Sequence, residues 1–385
     1  MTKMQHLSHF QKPEYFGGSI LNLISSIQSH FGLIPQHAPL RDGVHFQKKI
    51  VLLVIDGLGK QQLGRHQEAG DLSVLSSFDE IRTLSSVFPS STMAAMTTLH
   101  MGAPPAQTGW LSGCLWLEEL GQIVNTVHSR DEHSRAWVNL DFMRTTRSVY
   151  QQLSEIHVKS TVIYPAAFSG SFLSNWHHEG ASEVGYFFTP NSIPTLVKDA
   201  LTSSDYVVVY YPHYDDICHR YSPESPEATD EIQGINNLLE RILQRLPEQV
   251  TVLLTADHGH KSIHAGIWVD QHPEVHEHLL LPISGEKVAR YLHVKPGHLE
   301  AVQEIFAQWA DVVPSEQLWE EGYFGGDPAH QTFLSRTGDL VALTRGFTDL
   351  HWEYHPEVRN IKGWKGNHGG LSETEMLVPL GILNT

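Results

Sequence analysis

Six side chains suited to divalent cations stand beside apolar runs in this 385-residue chain: Asp56, Asp215, His219, Asp257, His258 and His368. Three carboxylates and three imidazoles are too many for one catalytic zinc, which takes three protein ligands and keeps a position open. They suit two cations, each with an open position. A pair about 3.5–4 Å apart can clamp the attacking and leaving oxygens of an in-line displacement. Imidazole together with carboxylate points to zinc, with manganese or iron as compatible occupants. Each residue alone has a plainer reading. Asp56-Gly57 after a strand is the usual composition of a turn, and His368, in Gly366-Asn367-His368-Gly369-Gly370, would ordinarily be a loop histidine. Asp257-His258-Gly259 is more specific, because two ligand types adjoin at the end of an apolar run.

A hydroxyl nucleophile is offered by Pro89-Ser90-Ser91-Thr92, which precedes a run of helix formers from Met93 to Leu99. The proline and the Ser-Ser-Thr run read as a helix start. A hydroxyl there faces free backbone N–H groups and the positive end of the helix dipole, which favour an anionic phosphoryl group. A metal ion lowers the pKa of such a hydroxyl, so no histidine base is required. From the local residues alone, simple capping by Ser90, Ser91 or Thr92 is the better reading.

These side chains need elements that bring them together. Lys49–Ile55, Ser160–Tyr164, Tyr206–Tyr211 and Val250–Thr255 are short β-branched runs that read as strands buried on both faces. Between the last two, Ile232, Ile235, Leu238, Leu239, Ile242 and Leu246 recur at helical spacing. Pro223 and Pro226 precede that helix and Pro247 follows it. Alternating strands and helices imply an α/β fold with a mostly parallel central sheet and helices on both faces. Ligands in such sheets gather at the carboxyl ends of the strands. Three of these runs end in the acidic residues above, two with histidine close by.

Bulk properties narrow the partners. The formal net charge is −17 and no basic run offers a footprint for a phosphate backbone, so long nucleic acids are not expected. A small phosphorylated substrate is compatible, since local cations can outweigh the global charge. The residues that open the chain lack an apolar leader core, and no stretch approaches the roughly 18 apolar residues of a membrane span. Cys114 and Cys218 are the only cysteines, which argues against a disulfide framework and makes the cytoplasm the expected location. Of the 26 histidines, most must be surface or packing residues.

The order of motifs carries a resemblance. Asp56, the Pro-Ser-Ser-Thr segment, Asp215-x-x-x-His219, Asp257-His258-Gly259 and the late His368-Gly369 resemble the alkaline phosphatase superfamily. Within it, the chain is similar to compact bacterial members of the type I phosphodiesterase/nucleotide pyrophosphatase family. Thr92–Gly102, continuing to Pro104–Gly109, looks like the nucleophile helix and following turn of those proteins. Tyr291-Leu292-His293 and His368–Leu380 look like further family segments, and the likeness runs from about Lys49 to the C-terminus. It implies one metal on Asp215, His219 and His368, and another on Asp56, Asp257, His258 and the oxygen of Thr92. It also implies attack by Thr92 on phosphorus, giving a phosphothreonine intermediate that water hydrolyses.

Related chemistries are weighed by the same residues. Neither Cys114-Leu115-Trp116 nor Ser90-Ser91-Thr92 supplies the Cys/Ser-x-Pro-x-Arg segment of sulfatases. Similar phosphoglycerate mutases generally use serine, and no arginine stands out near Thr92 for a phosphomonoester dianion. A phosphodiester or pyrophosphate substrate is therefore expected. The alternatives are a phosphomonoesterase, a phosphonate hydrolase, a phosphosugar mutase, or a non-catalytic metal- or phosphate-binding protein. Residues 1–264 and 366–385 are expected to form the catalytic domain, with 265–365 as a small α+β cap insertion. In that insertion Leu279–Ile283, Val288–Leu292 and Leu340–Thr344 read as strands and Leu299–Trp309 as a helix. Trp352, Tyr354 and Trp364 could stack a base or sugar there, although such aromatics are more often core. His260 and His264 read more readily as exposed loop histidines than as ligands.

Overall fold

The computed structural model describes residues 7–326, 333–356 and 363–385. Residues 1–6, part of the opening stretch read above for a leader, and two short segments of the expected insertion lie outside them. The central sheet has seven strands: β1 (Lys49–Ile55), β2 (Glu80–Ser85), β3 (Ser160–Pro165), β4 (Glu183–Phe187), β5 (Tyr206–Tyr211), β6 (Val250–Thr255) and β7 (Leu377–Asn384). Their spatial order is β2-β7-β6-β1-β5-β3-β4. β1 pairs in parallel with both β5 and β6, and β3 in parallel with both β4 and β5. Only β7 runs against its neighbours, β2 and β6.

The four strands expected from apolar runs lie at the middle of this sheet, and β1, β5 and β6 are buried almost throughout. That burial is why they read as continuous β-branched runs without alternation. Register sets their ends level: Ile55 faces Tyr211, and Val54 faces Thr255. The residues that follow, Asp56, Pro212 and Ala256-Asp257, therefore emerge side by side at one edge.

Helices cover the sheet. α1 (Ile20–His30) buries most of its length in the main core. α2 (Thr92–Met101) begins at the segment carrying the three hydroxyls. α3 (His213–Tyr221) follows β5 directly, a helix that its mostly polar residues do not announce. α4 (Pro226–Leu243) has Pro226 in its first turn, and Ser225 accepts the Ala228 N–H as its cap. Its buried face is Ile232, Ile235, Leu238, Leu239 and Ile242, as expected, whereas Leu246 lies beyond its end.

A second, four-stranded antiparallel sheet is built from Ser284–Glu286, Ala289–Leu292, Leu340–Thr344 and Ala310–Pro314. Its residues alternate between two cores, as strand geometry requires. Tyr291, Val313, Val341 and Leu343 join Trp110, Leu111 and Leu115 of the main chain body. Leu292, Val312, Leu340 and Ala342 join Val302 and Phe306 of the helix Leu299–Phe306. The expected strand at Leu279–Ile283 is a single antiparallel bridge, Leu279 to Val294, followed by loop. Leu279 and Ile283 are buried in the second of these cores, so their apolar character reflects packing more than strand pairing. Trp352 is core there too, and Tyr354 packs against it.

Candidate metal centre

Two groups of metal-capable side chains lie at the carboxyl edge of the central strands. One joins Asp215, His219, His260 and His368, the other Asp56, Asp257 and His258, with the ligand atoms in each group within 4.8 Å of one another. All six residues singled out by type are therefore brought together, and a seventh, His260, joins them.

Local geometry explains each position. Asp56 directly follows β1 and precedes Gly57 at φ +74°, a turn that favours glycine. A Cβ on Gly57 would meet His260 Cδ2 at 2.9 Å and Asp215 Cβ at 3.3 Å, so the close approach of three elements depends on its absence. The Gly57 N–H donates to Asp257 Oδ1 at 3.2 Å, and the His258 N–H to the same oxygen at 2.9 Å. Asp215 and His219 lie four apart on α3, one helical turn, with Asp215 Oδ2 and His219 Nε2 3.3 Å apart. A short antiparallel pairing of Lys261-Ser262 with Gly366-Asn367 brings His260 beside His368.

The imidazoles share one orientation. Nδ1 of His219 donates to Gly366 O at 2.9 Å, that of His258 to Gly259 O at 3.1 Å, and that of His368 to Ser90 O at 3.1 Å. Backbone carbonyls thereby fix the tautomer, and each Nε2 lone pair points inward, the usual arrangement of metal-ligating histidines. Nε2 of His219 and of His368 face each other at 3.2 Å, and two lone pairs repel unless a cation stands between them. Asp56 Oδ1 and Asp257 Oδ2 are buried with no hydrogen-bond partner. Burial and the neighbouring carboxylates push Asp56 well above the usual carboxylate range, and burial with the charge of Asp215 raises Asp257. Burial alone would raise Asp215 as well, but His219 and His260 beside it hold it well below. His368 is driven well below the usual imidazole range by burial. Buried carboxylates that repel one another, opposite lone pairs turned inward, are a donor set that divalent cations fit.

The hydroxyl belongs to the same place. Thr92 is the first residue of α2, and its Oγ1 donates to His258 Nε2 at 3.1 Å. None of the three hydroxyls caps the helix: Ser91 makes no side-chain cap, Ser90 donates to Gly370 O at 2.7 Å, and Thr92 faces His258 of the second group. The capping reading of this segment is therefore set aside.

His260 corrects the sequence reading. It is fully buried, and its Nε2 donates to Asp215 Oδ1 at 2.6 Å. His264 is exposed and stacks on Phe347, as a loop histidine would. Asp216 is exposed beside the site. Of the three aromatics considered for stacking, only Trp364 meets the centre, its ring centroid 3.8 Å from that of His219.

Comparison with known proteins bears on this geometry. A profile of the type I phosphodiesterase / nucleotide pyrophosphatase family matches residues 50–370. Among solved structures, murine ectonucleotide pyrophosphatase / phosphodiesterase 5 superposes with a TM-score of 0.68 at 14% identity, over 88% of each chain. An inactive threonine-to-alanine form of it, solved in complex with AMP, matches equally. Phosphonoacetate hydrolase from Sinorhizobium meliloti 1021, solved with phosphonoformate, gives 0.64 at 17% identity, over 88% of this chain and 91% of that one. No curated protein matched the chain. At these identities the structural likeness speaks for the fold.

Proposed function

Because the chain belongs to the type I phosphodiesterase / nucleotide pyrophosphatase family of phosphoric ester hydrolases, we propose that it cleaves phosphodiester or pyrophosphate bonds through Thr92. With the family goes the alkaline phosphatase-like fold, shared with the superposed hydrolases. The observation that carries the proposal is Thr92 Oγ1, at a helix start, in contact with His258 of a buried carboxylate–imidazole centre.

In this reading Asp215, His219 and His368 hold one divalent cation, and Asp56, Asp257, His258 and Thr92 Oγ1 hold another. Zinc suits the donor set best, and manganese is compatible. Such cations supply Lewis-acid charge and lower the pKa of the hydroxyl. Thr92 Oγ1 attacks phosphorus in line with the leaving oxygen, which departs with the electron pair of the broken bond. Water then displaces the phosphoryl group from Thr92 and frees the hydroxyl. The N–H groups at the start of α2 hold the phosphoryl oxygens meanwhile. His260 keeps Asp215 oriented by its hydrogen bond. An inactive threonine-to-alanine form among the superposed proteins supports a threonine in this role.

The antiparallel sheet of residues 284–344, within the 265–365 insertion, is read as a cap that chooses the leaving group. A small substrate fits a chain of this charge, and the described residues include no helix long and apolar enough to cross a membrane. Cytoplasmic location belongs to the same reading, since Cys114 and Cys218 are both free thiols.

The test is metal content together with hydrolysis of matched aryl phosphate monoesters, diesters and phosphonates by wild type and Thr92→Ala. About two metals per chain, diester preference and loss of turnover in the variant are expected. Full activity in Thr92→Ala with metals retained would overturn the covalent route.

A further inference from the structure

The turn between Ser284–Glu286 and Ala289–Leu292 carries Lys287 to the edge of the metal centre. Its Nζ lies 3.6 Å from the centroid of the Trp364 ring. That ring is itself 3.8 Å, centroid to centroid, from His219. The ammonium is therefore no farther from the His219 ring than the sum of these two separations. It forms no hydrogen bond or ion pair among the described residues.

Of the charged groups that act on this ammonium, Arg290 is a like charge, and the carboxylates of Asp349 and Glu286 have other hydrogen-bond partners. Glu286 accepts from Ser112 Oγ at 2.9 Å and from the Gly113 N–H at 2.9 Å. Asp349 accepts from His351 Nε2 at 2.8 Å and from Asn367 Nδ2 at 3.1 Å. Burial pulls the Lys287 ammonium down to about 8. A lysine that only served packing would extend its stem and leave the charge in water. Here the charge lies half-buried on an aromatic face, held by a cation–π contact, with donors to spare.

We infer that Lys287, seated on Trp364, binds a second anionic group of the substrate, a carboxylate or a phosphate, beside the group cleaved at the metal centre. The inference rests on the phosphoryl-transfer reading of that centre and narrows its substrates to doubly anionic ones. Trp364 touches both the ammonium and the His219 ring, so the two anions need only a short linker. A charge-assisted hydrogen bond to a half-buried ammonium gains over one in open water, because less water competes for it.

The test is calorimetric binding to the metal-loaded full chain. The probes are propylphosphonate, 3-phosphonopropionate, which places a carboxylate where the first has a methyl group, and ethane-1,2-diphosphonate. In the wild type the second anion should tighten binding by about tenfold or more. In Lys287→Met, and in Lys287→Gln as a second neutral variant, the ratio of affinities should fall toward one. Lys287→Arg, which keeps the charge, should retain it. A gain confined to the carboxylate or to the second phosphonate supports the inference and identifies the anion. Propylphosphonate binding without a gain in the wild type, or an undiminished gain in the neutral variants, overturns the inference alone. Failure of propylphosphonate to bind the metal-loaded wild type overturns the phosphoryl-site reading, and this inference with it.

Discussion

Acid should loosen the helix that carries Thr92, because three buried imidazoles anchor it. His177 Nε2 donates to Thr97 Oγ1 on α2 at 3.1 Å, while Thr97 donates to Met93 O at 2.6 Å. His100, on the same helix, stacks on His177 at 4.8 Å between ring centroids and meets His178 at 5.4 Å. Burial, helped by the neighbouring His178, lowers His177 to about 3, burial lowers His178 to about 4, and His100 lies well below the usual range for the same reason. Above pH 6.5 neither the folded nor the unfolded chain protonates these groups, so their neutral packing is fully available. Below that pH the unfolded chain takes up protons that the folded chain refuses. Stability then falls by about 1.4 kcal/mol per pH unit per histidine until the folded pKa is reached. Between pH 7 and pH 5, His177 and His178 should each cost about 2 kcal/mol, a large part of a typical folding stability of roughly 5–15 kcal/mol. Urea unfolding at pH 7, 6 and 5 reads this directly when wild type is compared with the His177→Gln, His178→Gln double variant. The wild type should lose about 4 kcal/mol more than the variant across that window. Parallel pH slopes would refute the reasoning.

Two further perturbations probe the centre. His260→Ala should weaken metal binding about 10- to 100-fold, as loss of a group orienting a ligand does. Competition with a chromophoric chelator measures this, and unchanged affinity would remove His260 from the site. Gly57→Ala should cost about 1–3 kcal/mol through the strained φ and displace His260 or Asp215. Thermal unfolding and metal titration should register both effects, and a variant as stable and as tightly metallated as wild type would contradict the packing described.

The sheet was legible where burial on both faces forced continuous β-branched runs. Lys49–Ile55, Tyr206–Tyr211 and Val250–Thr255 are strands residue for residue. β2 escaped because Glu80–Ser85 is half-exposed and mixes charge with apolar residues. α3 escaped because its nine residues are mostly polar, although the four-residue step from Asp215 to His219 is itself one helical turn. That six metal-capable side chains would gather was legible by type and by their place after strands, because parallel register delivers such residues to one edge. His260 was misread because only the pairing of Lys261-Ser262 with Gly366-Asn367, a long-range contact, buries it. The signal available was its two-residue offset from His258, which places both on one face of extended chain. Lys287 had no local signature at all, since its role arises from a turn meeting Trp364.

The central claim is that Thr92 carries the phosphoryl group during turnover. The most direct measurement is acid quench of the metal-loaded enzyme during hydrolysis of an aryl phosphodiester, followed by peptide mass analysis. A phosphorylated species on the peptide containing Thr92, absent from Thr92→Ala, is the expected result. Turnover at full rate with that peptide unmodified, and a Thr92→Ala enzyme equally active, would contradict it.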